Sequence, residues 1–117
     1  VLRILTDPQL QDYCRSYDVA VLAYSILWNG ADARSDRVLT PKYQGADRQA
    51  RIEVLRDIAN EVAATPNQVV IAWMRQGDPP MLPIIGGSTQ EQLTENMEAL
   101  TVKLTVEQIA RLQAAGA

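Results

Sequence analysis

Histidine is absent from this 117-residue chain, which removes the commonest general acid–base and the commonest metal ligand together. Cysteine occurs once, as Cys14, so neither an intrachain disulfide nor a Cys-x-x-Cys metal site can form. A lone thiol fits a reducing compartment. No apolar run is long enough to span a bilayer, and the first residues carry no basic-then-apolar signal pattern. A basic excess is missing too: eleven Lys and Arg are interleaved with fourteen Asp and Glu, for a net charge of −3. Nucleic-acid binding needs a basic stripe that displaces counterions, and none is visible. The expectation is a soluble, cytoplasmic protein with no nucleic-acid or membrane partner.

What the chain does contain is an alternation of helix and strand signals. Asp7-Pro8 is a helix opening, with Asp as cap and Pro at the first helical position. Leu10, Tyr13, Cys14 and Tyr17 recur at helical spacing, so residues 8–17 are expected as an amphipathic helix. Val19 to Ala23 is a short branched apolar run without alternation, as in a strand covered on both faces. Residues 28–47 hold Asn29-Gly30, Pro41 and Gly45 amid scattered charges and read as a long loop. From Asp47, the positions Ile52, Leu55, Ile58, Ala59 and Val62 mark a long amphipathic helix. Thr65-Pro66-Asn67-Gln68 has capping-box spacing and opens a helix carrying Val69, Val70, Ala72 and Trp73, which stops before Gly77. Met81 to Ile85 reads as a second buried strand. Gly86-Gly87-Ser88-Thr89 then turns into a helix with Leu93, Met97 and Leu100 on one face, and Thr105 to Gln108 opens a last short one.

Strands alternating with helices imply a parallel α/β arrangement in one domain. Two parallel strands alone leave unpaired N–H and C=O groups on both flanks. The expected remedy is self-association or pairing with further chain.

Few residues suggest chemistry by themselves. Gly86-Gly87 lets backbone approach a ligand closely, and the next helix aims free N–H groups and its positive dipole end at an anion. Gln92, Glu95 and Asn96 share one face of that helix by spacing. On spacing alone, a glycine turn with a Ser/Thr cap and solvated polar residues is the better description. Asp57 and Glu61 suit a solvated helix face, Cys14 and Trp73 suit the core, and Tyr24 by itself suits a core or rim aromatic.

Four segments, in order, resemble one family. Residues 10–30 resemble the aldo-keto reductase segment that runs from helix 6 through strand 7 into its cofactor loop. Leu39-Thr40-Pro41-Lys42-Tyr43 is similar to that family's Leu-Thr-Gly-Lys-Tyr element. Residues 65–73 resemble its Thr-Pro-x-Gln-x-x-x-x-Trp helix. Pro83 to Ser88, followed by Glu91-Gln92-Leu93 and Glu95-Asn96, resembles strand 8 and the helix after it. The resemblance covers essentially the whole chain. It implies a partial (β/α)8 TIM barrel: helix 6, strand 7, helix 7, strand 8, helix 8 and a terminal helix over residues 1–117. A complete barrel takes about 250 residues, so strands 1 to 6 are expected before Val1.

The resemblance also implies site roles. Barrel active sites lie at the C-terminal ends of strands, and phosphate sites use the loops after strands 7 and 8. Tyr24 would stack on a nicotinamide ring, and Ser25, Leu27 and Asn29 would approach the pyrophosphate. Lys42 and Arg48 would meet a cofactor phosphate; Arg51 is better read as solvated. Gly86, Gly87, Ser88 and Thr89 would lie near the 2′ position, with Gln92, Glu95 and Asn96 facing ribose and adenine. The implied cofactor is NADP, by family habit, or NAD. This chain departs from the family pattern at Ile26 (usually Pro), at Trp28-Asn29 (usually a small Gly-rich turn), at Pro41 (Gly), and at Thr89, where many members carry Lys or Arg. The family's catalytic Asp, Tyr, Lys and His match no position here. In the full protein, a carbonyl substrate would be reduced to an alcohol; this part would supply binding and orientation.

Three readings follow: a fragment of a carbonyl-reducing oxidoreductase, a non-catalytic dinucleotide-binding or regulatory module, and one chain of a split barrel. A start at Val1, without Met and just before a helix cap, points to the first.

Overall fold

The computed structural model describes residues 7–24, 26–27 and 46–115. Asp7 caps α1 (Pro8–Ser16): its Oδ1 accepts the N–H groups of Gln9 at 3.0 Å and Leu10 at 3.3 Å, donors that a helix start leaves unpaired. The helix ends where Asp18 takes a left-handed φ of 52° and the Val19 N–H turns back to the Cys14 carbonyl at 2.8 Å. That turn uses Val19. The strand expected over Val19–Ala23 therefore begins only at Val21, as β1 (Val21–Ala23).

α2 (Ala46–Glu61) buries Ile52, Leu55, Ile58 and Ala59 of the expected stripe; Val62, its fifth member, lies just past the helix end, partly buried against the core. It closes like α1: Ala63 sits at φ 53°, and the Ala64 N–H reaches the Ala59 carbonyl at 2.9 Å. α3 (Pro66–Gln76) starts with a complete Thr65/Gln68 capping box and stops at Gly77. Its residues Val69 to Met74 are all buried, because α2, β2, α4 and a 3-10 turn (Ala99–Thr101) surround it. β2 (Met81–Pro83) pairs parallel with β1, Val21 opposite Met81 and Ala23 opposite Pro83. It is shorter than the expected Met81–Ile85. The last ladder bond runs from the Ile84 N–H to the Ala23 carbonyl at 2.7 Å, and β1 offers no residue beyond it. α4 (Gln90–Glu98) continues into the 3-10 turn. α5 (Val106–Ala114), with a second capping box at Thr105/Gln108, packs on α2.

The result is a helix-rich α/β architecture around a short parallel sheet. Its core joins Leu55, Ile58 and Ala59 of α2, the buried run of α3, Met81, Ala99 and Leu112. Ala23 and Met81 face that core. Leu22 and Leu82, opposite one another in register, are 62% and 55% exposed on the other face. The expectation of strands covered on both faces thus holds for one face only. α1 buries Cys14 but leaves Leu10, Tyr13 and Tyr17 exposed, the two rings tilted at 34° with their centroids 4.7 Å apart. α4 likewise departs from expectation: Leu93, Met97 and Leu100 lie exposed, and Asn96 and Ala99 are the residues turned inward. No described helix is long and apolar enough to cross a membrane.

Candidate functional site

Because β1 and β2 run parallel, their C-terminal ends lie at one edge of the sheet, tied by the bond from Ile84 to Ala23. Tyr24 leaves β1 there, its side chain largely open to solvent. The segment Ile84–Thr89 leaves β2 beside it and enters α4. Thr89 caps the helix, its Oγ1 accepting the Gln92 N–H at 3.2 Å. Gln92 returns the favour one residue earlier than a regular box: its Oε1 accepts the Ser88 N–H at 2.8 Å. Asn96, buried, donates from Nδ2 to the Gly86 carbonyl at 3.1 Å. Three side chains of one unit, Thr89, Gln92 and Asn96, therefore hold the loop in shape.

The two glycines differ. A Cβ on Gly87 would stand 3.0 Å from the Leu93 amide nitrogen and 3.2 Å from the Gln92 Cβ, so a side chain there would press on the helix start. A Cβ on Gly86 would meet nothing within 4 Å. The chain itself leaves that backbone uncovered, at the edge where Tyr24 also opens to solvent. The Gln90 and Glu91 N–H groups, in the first turn of α4, have no acceptor among the described residues and sit at the positive end of the helix dipole. Residues 84–102 carry Glu91, Glu95 and Glu98 and no Lys or Arg.

Gly86, Gly87, Ser88, Thr89, Gln92 and Asn96 are thus brought together, with Tyr24 at the same edge. Glu95 is turned elsewhere: its Oε1 accepts the Thr65 hydroxyl at 2.7 Å, at the start of α3. Leu27 packs, half-buried, against the hydrophobic core. Arg48 lies partly buried in the first turn of α2 and already has an interaction partner. Ser25, Asn29 and Lys42 lie outside the described residues. A cavity of about 340 Å³ lined by Gln11, Trp73, Asp78 and Met81 sits at the opposite ends of the strands, away from this loop. Among the described residues, no cluster of His, Cys, Asp or Glu could hold a metal ion.

Sequence reasoning saw the Thr65/Gln68 box as a helix start only. Gln68 also reaches α4, its Nε2 donating to the Glu95 carbonyl at 2.9 Å and to Glu98 Oε2 at 3.3 Å. The signal available was an amide with more donors than its cap consumes.

Comparison with known proteins identifies the family. The family model described as "Aldo/keto reductase family" matches residues 1–117. An uncharacterized oxidoreductase of Schizosaccharomyces pombe is 28% identical over 105 residues, covering 90% of this chain and 29% of its own length. The aldo-keto reductase str7 of Strobilurus tenacellus is 28% identical over 125 residues, covering 93% of this chain and 37% of its own. Among solved structures, the thermostable aldo-keto reductase Tm1743, in complex with the inhibitor epalrestat, matches with a TM-score of 0.68 at 27% identity, over 90% of this chain and 32% of that one. The chain spans about a third of the length of each of these proteins. By sequence over its whole length, and by the fold that carries the loop after β2, the chain belongs to the aldo-keto reductase family.

Proposed function

We propose that this chain is the C-terminal, cofactor-holding part of an NAD(P)H-dependent aldo-keto reductase, with β1 and β2 as the last two strands of a (β/α)8 barrel. The observation that carries the reading is the loop 84–89 with α4, its Gly86 backbone open past the C-terminal end of a parallel pair whose other strand leads into Tyr24. The open face of Leu22 and Leu82 supports it, as do sheet edges that no other described strand pairs, since both need the further strands of a barrel.

The residues present fit the adenosine end of a dinucleotide. Gly86 admits close approach, Ser88 and Thr89 offer hydroxyls, and the first-turn N–H groups of α4 offer donors for a phosphate. Tyr24 offers a ring face for nicotinamide. The chemistry such a cofactor supplies is hydride donation to a carbonyl carbon; these residues bind and orient it. NADP follows family habit. Residues 84–102 carry no Lys or Arg, so this segment sets no cation beside a 2′-phosphate, which predicts less than about tenfold discrimination between NADPH and NADH. The family's acid, base and orienting groups match nothing here, so the chain alone is inactive toward carbonyl substrates.

Titration of the 117-residue chain with NADPH and NADH, followed by amide chemical shifts, tests the reading. Shifts at residues 84–96 are expected, weakened by Gly86→Ala, a substitution the free chain has room for. Absence of shifts there at millimolar nucleotide, or carbonyl reduction by mass-verified chain alone, sinks it.

A further inference from the structure

We propose that Gln68 and Thr65, at the start of α3, are positioning residues for the loop after β2. They fix where α4 presents Ser88 to Asn96 to the adenosine half of the dinucleotide. The identity of that ligand rests on the reading above; the mechanical link does not.

Little apolar surface holds α4. Of its nine residues only Asn96 is buried, and Leu93 and Met97 are 46% and 49% exposed. Apolar burial is the usual anchor of a surface helix, and here polar bonds do much of that work. Thr65 uses its hydroxyl twice, accepting the Gln68 N–H at 3.3 Å and donating to Glu95 Oε1 at 2.7 Å. Gln68 is buried, and its Oε1 completes the cap by accepting the Thr65 N–H at 3.0 Å. Its Nε2 is then left with donors to satisfy where little solvent reaches the side chain. They go to the Glu95 carbonyl and the Glu98 carboxylate, both on α4.

The Glu95 carbonyl is free to accept because the chain tightens there. The Ala99 N–H bonds the Asn96 carbonyl, three residues back, as α4 gives way to the 3-10 turn. One residue along from Glu95, the Asn96 side chain holds the Gly86 carbonyl, and Gln92 holds the Ser88 N–H. The path is thus continuous: start of α3, Glu95, α4, then the loop. The Thr105/Gln108 box of α5 supplies an internal control. Its geometry is the same, but Gln108 is turned outward to Glu61 on α2 and touches nothing in the loop.

Hydrogen exchange on the 117-residue chain tests the link without any ligand. Gln68→Glu keeps an acceptor for the Thr65 N–H but replaces the α4-directed donors with a carboxylate facing Glu95 and Glu98. Gln68→Met removes both functions at similar volume. In both, amides of residues 88–93 should exchange about tenfold faster or more while α2 and the rest of α3 stay protected. Gln108→Met should leave 88–93 unchanged. Should the Gln68 variants fail to fold, Thr65→Val and Thr65→Ser replace them: Val should free the same amides and Ser should restore protection. Unchanged exchange at 88–93, or a uniform rise across every helix, overturns the proposal. In the ligand arm, the variants should lose about tenfold in affinity for NADPH but not for reduced nicotinamide mononucleotide, which has no adenosine for α4 to meet. Equal losses for both would overturn the adenosine assignment. If wild-type chain binds neither, the functional reading fails and the exchange result still decides the link.

Discussion

The two faces of the β1–β2 pair are built from similar residues and have opposite surroundings. Toward α3, Ala23 and Met81 join a closed core whose Ile58 and Val69 are fully buried. Away from it, Leu22 and Leu82 face solvent, and the exposed residues of α1 and α4 extend the same imbalance: Leu10, Tyr13 and Tyr17 on one, Leu93 and Met97 on the other. Full burial of a leucine-sized side chain is worth about 1.5–3 kcal/mol, so each exposed leucine forgoes stabilisation that a covering layer would supply. The closed side resembles the interior of a finished domain; the open side resembles a domain cut through its middle. Under the reading proposed above, further strands of a barrel would cover Leu22 and Leu82.

The comparison breaks first under core truncation. Ile58→Ala, on the closed side, should destabilise the chain by about 2–5 kcal/mol, through lost burial and an unfilled cavity. Urea denaturation followed by circular dichroism reads this directly; a loss below about 1 kcal/mol would mean the α2–α3 interface is loose and the contrast illusory. On the open side, Leu22→Lys with Leu82→Glu should change monomer stability by no more than about 0.5 kcal/mol, because each side chain is more than half exposed and the new charges are opposite in sign. The same pair should reduce self-association, since an apolar sheet face is what a second copy would cover. Sedimentation velocity across a concentration series decides it. A wild-type chain that stays monomeric throughout would count against the association.

Most of this division was legible in the sequence on the closed side and little of it on the open side. Asp7-Pro8, Thr65 to Gln68 and Thr105 to Gln108 announce helix starts because capping chemistry is local, and all three start where their side chains require. The Ile52–Ala59 stripe located α2's buried face for the same reason. Apolar periodicity, however, says which face wants cover and not whether the cover exists. Leu93, Met97 and Leu100 read as a packing face and stand in solvent, while Asn96 and Ala99 turn inward. Of the site, the Gly86 to Thr89 turn and its helix were legible. The inward use of Glu95 was not: it depends on Thr65, thirty residues away, and no local pattern encodes that meeting.

A smaller effect lies at the rim of the closed side, where Glu61 of α2 accepts from Gln108 at 2.9 Å and from Arg111 at 2.7 Å. The Gln108 amide, and next the Arg111 guanidinium, hold the Glu61 carboxyl below its ordinary pKa. Arg111 is shifted upward in turn, chiefly by its hydrogen bond to Glu61. A depressed carboxylate contributes stability that is present above the ordinary glutamate range and is lost as pH falls through its folded value. The stability difference between wild type and Glu61→Gln should therefore be constant near neutrality and shrink in acid below that range. Both partners are exposed, so the effect is also expected to weaken with salt. Urea midpoints at a series of acid pH values test it; a difference that does not depend on pH would remove the ion pair from the account.

The finest test uses the two left-handed turns, one on each side of the division. Ala63 ends α2 at φ 53° and Asp18 ends α1 at φ 52°. A left-handed conformation costs an ordinary L-residue roughly 1–2 kcal/mol, and glycine escapes that cost but loses roughly 0.5–1 kcal/mol in unfolded-chain entropy. Ala63→Gly should thus stabilise by about 0.5 kcal/mol, visible in global unfolding because α2 is part of the closed core. Asp18→Gly should gain less, since Asp tolerates this region better than Ala. Its gain should also be confined to α1, which is anchored by Cys14 alone among its buried residues and is free to fray before the core opens. Native-state exchange separates the two outcomes. A global gain from Asp18→Gly equal to that from Ala63→Gly would show that α1 unfolds with the core, and the line between the two sides would have to be redrawn around it.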